Sequence, residues 1–169
     1  AYTNHIFHIV FGTKCRLPMI SGDIRSRFHT YLGGVVRGLG GVALEIGGVA
    51  DHVHIHVVLK PTFAFLISFV LESQLVKVGK GEWDLEVRWQ RRYGSFTVSE
   101  SQVAVVRRYV RNQEQHHNKF DFRTEFETLL KSNGIPVDDF VWQIDVWFCR
   151  PQRGLEEFVA FFYTLTRVA

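Results

Sequence analysis

Three histidines at alternate positions, in Asp51-His52-Val53-His54-Ile55-His56, are the side chains here best suited by type and spacing to chemistry. On a strand, successive side chains face opposite ways. His52, His54 and His56 would then share one face, and Val53, Ile55 and Val57 the other. Imidazoles two residues apart can converge on one cation, each through a neutral ring nitrogen, or on a phosphate. A single strand histidine is ordinarily a packing residue, and a half-exposed strand would mix threonine, lysine or glutamate at these positions. Three at period two point to a metal or phosphate role. The spacing leaves the register open, because His52-Val53-His54 and His54-Ile55-His56 spell the same pattern and share only His54.

A second group lies on a predicted helix from Ser99 to His116. Ser99-Glu100-Ser101-Gln102 has the form of a capping box, with Val103, Val106 and Val110 as a core stripe. Beside that stripe Tyr109 and Gln113 are one helical turn apart. A tyrosine hydroxyl can attack phosphorus, and a carboxamide oxygen can complete the coordination of a hard cation. Taken alone, such a tyrosine packs against a sheet; joined to the histidine strand it becomes a candidate nucleophile. Arg88, Arg91, Arg92, Arg107, Arg108 and Arg111 crowd the same stretch, where Glu86 and Glu100 are the only carboxylates up to Arg111. Trp89, Tyr93 and Phe96 lie among them and could stack on bases, while arginines supply phosphate contacts.

The elements that must position these groups follow from periodicity. A strand over His5–Phe11 precedes a helix over Asp23–Leu39, whose apolar face is Ile24, Phe28, Leu32, Val35 and Val36. A strand over Val42–Ile46, a Gly47-Gly48 turn and a strand over His52–Leu59 come next. A helix over Phe63–Val76, a loop over Gly79–Glu86 and a strand over Ser95–Val98 lead into the tyrosine helix. A last helix, Asp121–Ser132, stops at Asn133-Gly134 and Pro136. This order predicts an α+β domain, a ferredoxin-like antiparallel sheet with helices packed on one face, plus a helix carrying the nucleophile. Beyond Trp142 the pattern weakens. Leu155–Val168 reads as an amphipathic helix or a partner surface, so residues 1–142 form the expected domain and 143–169 a C-terminal extension of unassigned role.

Composition sets the bounds. At 169 residues, 46% hydrophobic and a mean hydropathy of -0.01, the chain suits one globular domain. A net charge of +3 with a pI near 9.0 permits a nucleic-acid partner without requiring one. Cys15 and Cys149 match no zinc or redox spacing and are expected as reduced thiols. No secretory leader opens the sequence, and the longest apolar runs fall well short of the roughly 20 residues a span needs. A cytoplasmic protein without membrane contact is the expectation.

Four segments in order carry a family resemblance: His8-Ile9-Val10-Phe11-Gly12-Thr13-Lys14, Asp51-His52-Val53-His54, Trp89-Gln90-Arg91-Arg92-Tyr93-Gly94 and Arg108-Tyr109-Val110-Arg111-Asn112-Gln113-Glu114. With them the chain resembles, over about Tyr2 to Val137, the HUH-type single-tyrosine transposases of insertion sequences, most closely the REP-associated tyrosine transposases. The resemblance implies that His52, His54 and Gln113 bind Mg²⁺ or Mn²⁺. It implies that Tyr109 is the nucleophile forming a 5′-phosphotyrosine, and that the substrate is single-stranded DNA bearing a hairpin. It also implies a ferredoxin-like fold, and either a homodimer with shared sites or a monomer. His56 departs from the aliphatic residue usual in the family and could be an extra ligand. Alternatives on the same residues are a domesticated DNA-binding protein without cleavage, a replication or mobilisation nickase, and a hydrolase of small phosphoesters. Asp51 could orient a histidine from behind or merely cap a turn.

Overall fold

A computed structural model of the chain describes residues 4–60, 76–78 and 85–137. Its main sheet has strands β1 (Ile6–Thr13), β2 (Val42–Val49), β3 (His52–Val58) and β6 (Trp89–Thr97) in the order β2-β3-β1-β6. Each of the three neighbouring pairs is antiparallel. This is the strand arrangement of a ferredoxin-like domain, with β6 as its fourth strand. The helix α1 (Gly22–Gly38) joins β1 to β2.

The two short strands β4 (Val76–Val78) and β5 (Leu85–Val87) pair with each other as a separate ribbon. They replace, at Val76 and at Leu85 and Glu86, the expected helix end and loop. The body of the expected 63–76 helix and the 143–169 extension lie outside the described residues.

Strand alternation sorts the core into two layers. On one face Ile9, Phe11, Val53, Ile55 and Val57 meet Phe28, Leu32 and Val36 of α1, with Trp89 in the same cluster. On the other face Val10 and Phe96 meet Phe122, Phe126 and Leu130 of the last helix. The sheet is therefore covered on both sides. α1 takes one face, and the helices that follow β6, including the one bearing Tyr109, take the other. Strands β1 and β3 are buried almost end to end, which requires cover on both faces.

Past β6 the predicted tyrosine helix is three pieces. A 3₁₀ turn, Glu100–Gln102, leads into α2 (Val103–Arg111), and after Asn112 (φ -98, ψ 24) comes α3 (Gln113–His117). Ser99 makes no side-chain cap, and its hydroxyl contacts that of Ser101 instead, at 3.0 Å. The last helix, α4 (Phe122–Ser132), is capped as its sequence suggests, Thr124 N–H donating to Asp121 Oδ1 at 2.8 Å.

Helices α1 and α3 sit on opposite faces and meet around β2, the end strand of the described sheet, where Arg25 pairs with Glu114. Beside this pair, burial and then the Arg25 charge lower the pKa of His29 from 6.5 to about 4. An unfolded chain takes up a proton there as the pH drops below 6.5, while the folded chain resists until about 4. This part of the stability is thus complete above the unfolded value and is lost as pH falls through that window. In thermal melts, His29→Gln is expected to lose less of its midpoint between those pH values than the unaltered protein does.

Cys15 is disulfide-bonded, which corrects the expectation of a reduced thiol at that position. Among the described residues, no helix is long and apolar enough to cross a membrane.

Candidate functional site

The histidine strand behaves as its period predicts. Its register with β1 sets His52 opposite Gly12, His54 opposite Val10 and His56 opposite His8, and all three histidines are 0% exposed. They line the face covered by α2, α3 and α4.

These helices come close to the sheet because β2 carries Gly47 opposite His54. A Cβ on Gly47 would stand 1.9 Å from the carbonyl oxygen of Val110, which is backbone of α2. The sequence reading took Gly47-Gly48 as a turn; both residues lie within β2 instead. Gly47 is the point where α2, and Tyr109 with it, rests on the strand.

Glu125 of α4 is the centre of the site. It falls on the apolar stripe of its helix with Phe122, Phe126 and Leu130, and it is 4% exposed. Its Oε1 accepts hydrogen bonds from the Tyr109 hydroxyl and, at 3.0 Å, from Gln113 Nε2. Its Oε2 lies 3.0 Å from His117 Nε2, 3.4 Å from His54 Nε2 and 3.6 Å from His52 Nε2. Tyr109 stands edge-on to His54, His8 and His116, with ring centroids 5.8, 5.9 and 5.2 Å away.

His52, His54 and His117 are each held from behind through Nδ1. For His52 the partner is Asp51 Oδ1 at 2.8 Å, and Asp51 is itself paired with Arg16 at 2.8 Å. For His54 it is His8 Nε2 at 2.8 Å, and for His117 the carbonyl of Phe120 at 2.9 Å. Arg16 lies over the Phe122 ring, 3.3 Å from its centroid, and reaches in past Gly12, whose absent Cβ would meet Arg16 Nη1 at 2.6 Å.

Burial pushes the pKa of His52 down to about 4, against the opposing hydrogen bond to Asp51. Burial likewise lowers His54, and it lowers His8 together with the His54 charge. His117 moves the other way: burial disfavours its charge, but the hydrogen bond and charge of Glu125 outweigh it. Glu125 is held well below the carboxylate range, because its bond to His117 and the His54 imidazole beside it overcome its own burial. Tyr109 is raised, first by burial and then by the Glu125 charge, so the phenol keeps its proton.

Imidazoles around a buried carboxylate are a ligand set for a cation. The ligand atoms of His52, His54, His117 and Glu125 all lie within 4.8 Å of one another. His54 Nε2 is buried and makes no hydrogen bond, an orphan a bound cation would satisfy. The residues fit a divalent metal.

Of the residues singled out by sequence, the structure brings together His52, His54, Tyr109 and Gln113. Gln113 is 1% exposed with Oε1 3.4 Å from His52 Nε2. His56 stands outside the group. It pairs in register with Glu45, both its ring nitrogens are buried without hydrogen bonds, and burial and Arg107 lower its pKa.

Among the proposed DNA contacts, Arg107 and Arg111 pair with Glu45 while their side chains stay more than half exposed. Arg88 and Arg108 are exposed and Arg92 is half-buried, whereas the Arg91 side chain lies outside the described residues. Trp89 corrects the sequence reading: at 4% exposure it packs on Phe11 and Phe28 in the core and offers no face to a base. Tyr93 is half-buried and stacked on Phe11.

Glu125, His117 and His8 were missed by sequence reasoning. A signal existed for two of them. Glu125 is an acid at a core position of an amphipathic helix, and His117 lies four residues beyond Gln113.

The family model described as "Transposase IS200 like" matches residues 1–113, two thirds of the chain, and the chain belongs to this family. Its members are transposases, enzymes that cut and transfer DNA. Among solved structures, a transposase candidate from Deinococcus radiodurans R1 is similar at 18% identity and TM-score 0.44, covering 67% of this chain and 93% of its own. No curated protein matches the chain.

Proposed function

We propose that this transposase cuts and rejoins single-stranded DNA by transesterification through Tyr109, acting on DNA that carries a hairpin, as the REP-associated enzymes it resembles would. The observation that carries the reading is the contact of the Tyr109 hydroxyl with Glu125, which also faces His52 and His54.

The phenol keeps its proton in this setting, so attack requires an acceptor, and Glu125 Oε1 is already bonded to that hydrogen. As the Tyr109 oxygen bonds to phosphorus, its proton leaves by way of Glu125 Oε1 to solvent and the bond from phosphorus to the 3′ oxygen breaks. The 3′ oxygen leaves with a proton from solvent. The phosphotyrosine retains the energy of the phosphodiester, and a 3′-hydroxyl reverses the step. His52 and His54 would hold Mg²⁺ or Mn²⁺ with Gln113 at the rim, and the cation would supply Lewis-acid polarisation of the phosphate. Arg88, Arg92, Arg107, Arg108 and Arg111 would carry the backbone contacts.

The test is incubation with a single-stranded hairpin oligonucleotide and Mn²⁺, followed by denaturing electrophoresis. A covalent protein–DNA band that needs the cation is expected. Its absence on every hairpin substrate tried would leave a DNA-binding protein of this fold.

Asp51 is expected to act through His52. Burial opposes its charge, yet the His52 bond and the Arg16 guanidinium hold its carboxyl below the usual range. Asp51→Ala should weaken Mn²⁺ binding by about 10–100-fold, as loss of an outer partner of a ligating histidine does. Calorimetric titration reads this directly, and unchanged affinity would reduce Asp51 to a turn residue.

A further inference from the structure

We infer that the metal centre is completed by His117 and Glu125 of the helical layer, giving three imidazoles and one carboxylate, and that it selects a first-row transition cation over Mg²⁺. The inference rests on the metal-dependent reading above and changes both its ligand set and its cation.

The geometry carries it. Three imidazoles from two different layers, His52 and His54 on β3 and His117 on α3, all turn Nε2 toward Glu125 Oε2. In each, Nδ1 is engaged elsewhere: by Asp51, by His8 and by the Phe120 carbonyl. Ligating histidines characteristically have the second ring nitrogen fixed in this way, by a carboxylate, another polar group or a backbone carbonyl. His54 Nε2 is buried with no hydrogen bond.

The spacing agrees. Bonds of about 2.1 Å in a tetrahedral site set ligand atoms roughly 3.4 Å apart. The separations from Glu125 Oε2 are 3.0, 3.4 and 3.6 Å. Gln113 is held differently: its Nε2 donates to Glu125 Oε1, the oxygen that also takes the Tyr109 hydroxyl, and not to the Oε2 on which the imidazoles converge.

The donor set then decides the cation. Mg²⁺ prefers an octahedron of oxygens and gives up water reluctantly, whereas imidazole suits the later first-row metals. To ligate, His117 would give up its Nε2 proton to solvent and keep its Nδ1–H on the Phe120 carbonyl. Glu125 Oε1 is bonded to the Tyr109 hydroxyl, so the carboxylate that would hold the cation is also the partner of that hydroxyl.

The experiment is calorimetric titration of the chelator-treated full chain with MgCl₂, MnCl₂, CoCl₂ and ZnCl₂. Binding should tighten in the order Mn²⁺, Co²⁺, Zn²⁺, with Mg²⁺ at least about 100-fold weaker than Co²⁺. His117→Ala and Glu125→Gln should each weaken Co²⁺ by about tenfold or more, and Gln113→Ala by less than about threefold. On the unaltered protein loaded with Mn²⁺, electron spin-echo modulation should count three imidazole nitrogens, a reading that holds even if a variant fails to fold. Two imidazoles, or Mg²⁺ within about tenfold of Co²⁺, overturns the inference and leaves the metal-dependent function standing. No binding of any of the four cations overturns both.

Discussion

Tyr109→Phe is expected to eliminate the covalent protein–DNA species while leaving DNA binding within about threefold of the unaltered protein. The change removes one oxygen and keeps the ring against His54, His8 and His116. The Glu125 carboxylate loses one donor but keeps Gln113 Nε2 and His117. A lost hydrogen bond in such a setting costs about 1–2 kcal/mol, small against the stability of a domain this size. The exposed arginines that would hold phosphates are untouched. Gel-shift and covalent-band assays on the same preparation separate binding from chemistry. A covalent band from the phenylalanine variant would show that another residue attacks.

Gly47→Ala is expected to be nearly as damaging, although the glycine touches no substrate. Its new methyl group would sit 1.9 Å from the Val110 carbonyl oxygen, well inside contact distance, and backbone cannot swing aside as a flexible side chain does. Helix α2 would have to lift by more than about 1 Å, and a shift of that size in a reacting group can cost about 100-fold in rate. Overpacking of this kind also lowers stability by about 1–3 kcal/mol. The expected result is a folded protein with a lowered melting midpoint and a hundredfold slower covalent reaction. Unchanged melting and unchanged rate together would mean that α2 does not rest on Gly47 in solution.

Both predictions depend on contacts between segments far apart in sequence, which limits what the sequence could show. The period-two histidines were legible because a strand's alternation is local and covalent. So were β1, α1, β3 and α4, whose apolar spacing and capping residues are local too. Tyr109 and Gln113 were legible only through a recognised segment. The helix expected to join them breaks at Asn112, and the two meet instead through their shared bond to Glu125. The short strands β4 and β5 went unread because a three-residue strand carries too little pattern to show a period. Trp89 misled because an aromatic among arginines reads equally well as a base platform or as core, and only burial separates the two.

By itself the sequence determined that three histidines share a face, that an antiparallel α+β sheet presents them, and that the chain resembles single-tyrosine transposases. These follow from side-chain alternation, helical period and ordered motifs, all short-range properties of the chain. The tertiary structure alone decided which histidines converge: His52 and His54 turn toward Glu125, His117 joins them from another layer, and His56 is left beside Glu45. Convergence on a point depends on how the helical layer docks on the sheet, through Gly47 and the stripe that carries Glu125. A linear pattern does not encode that docking.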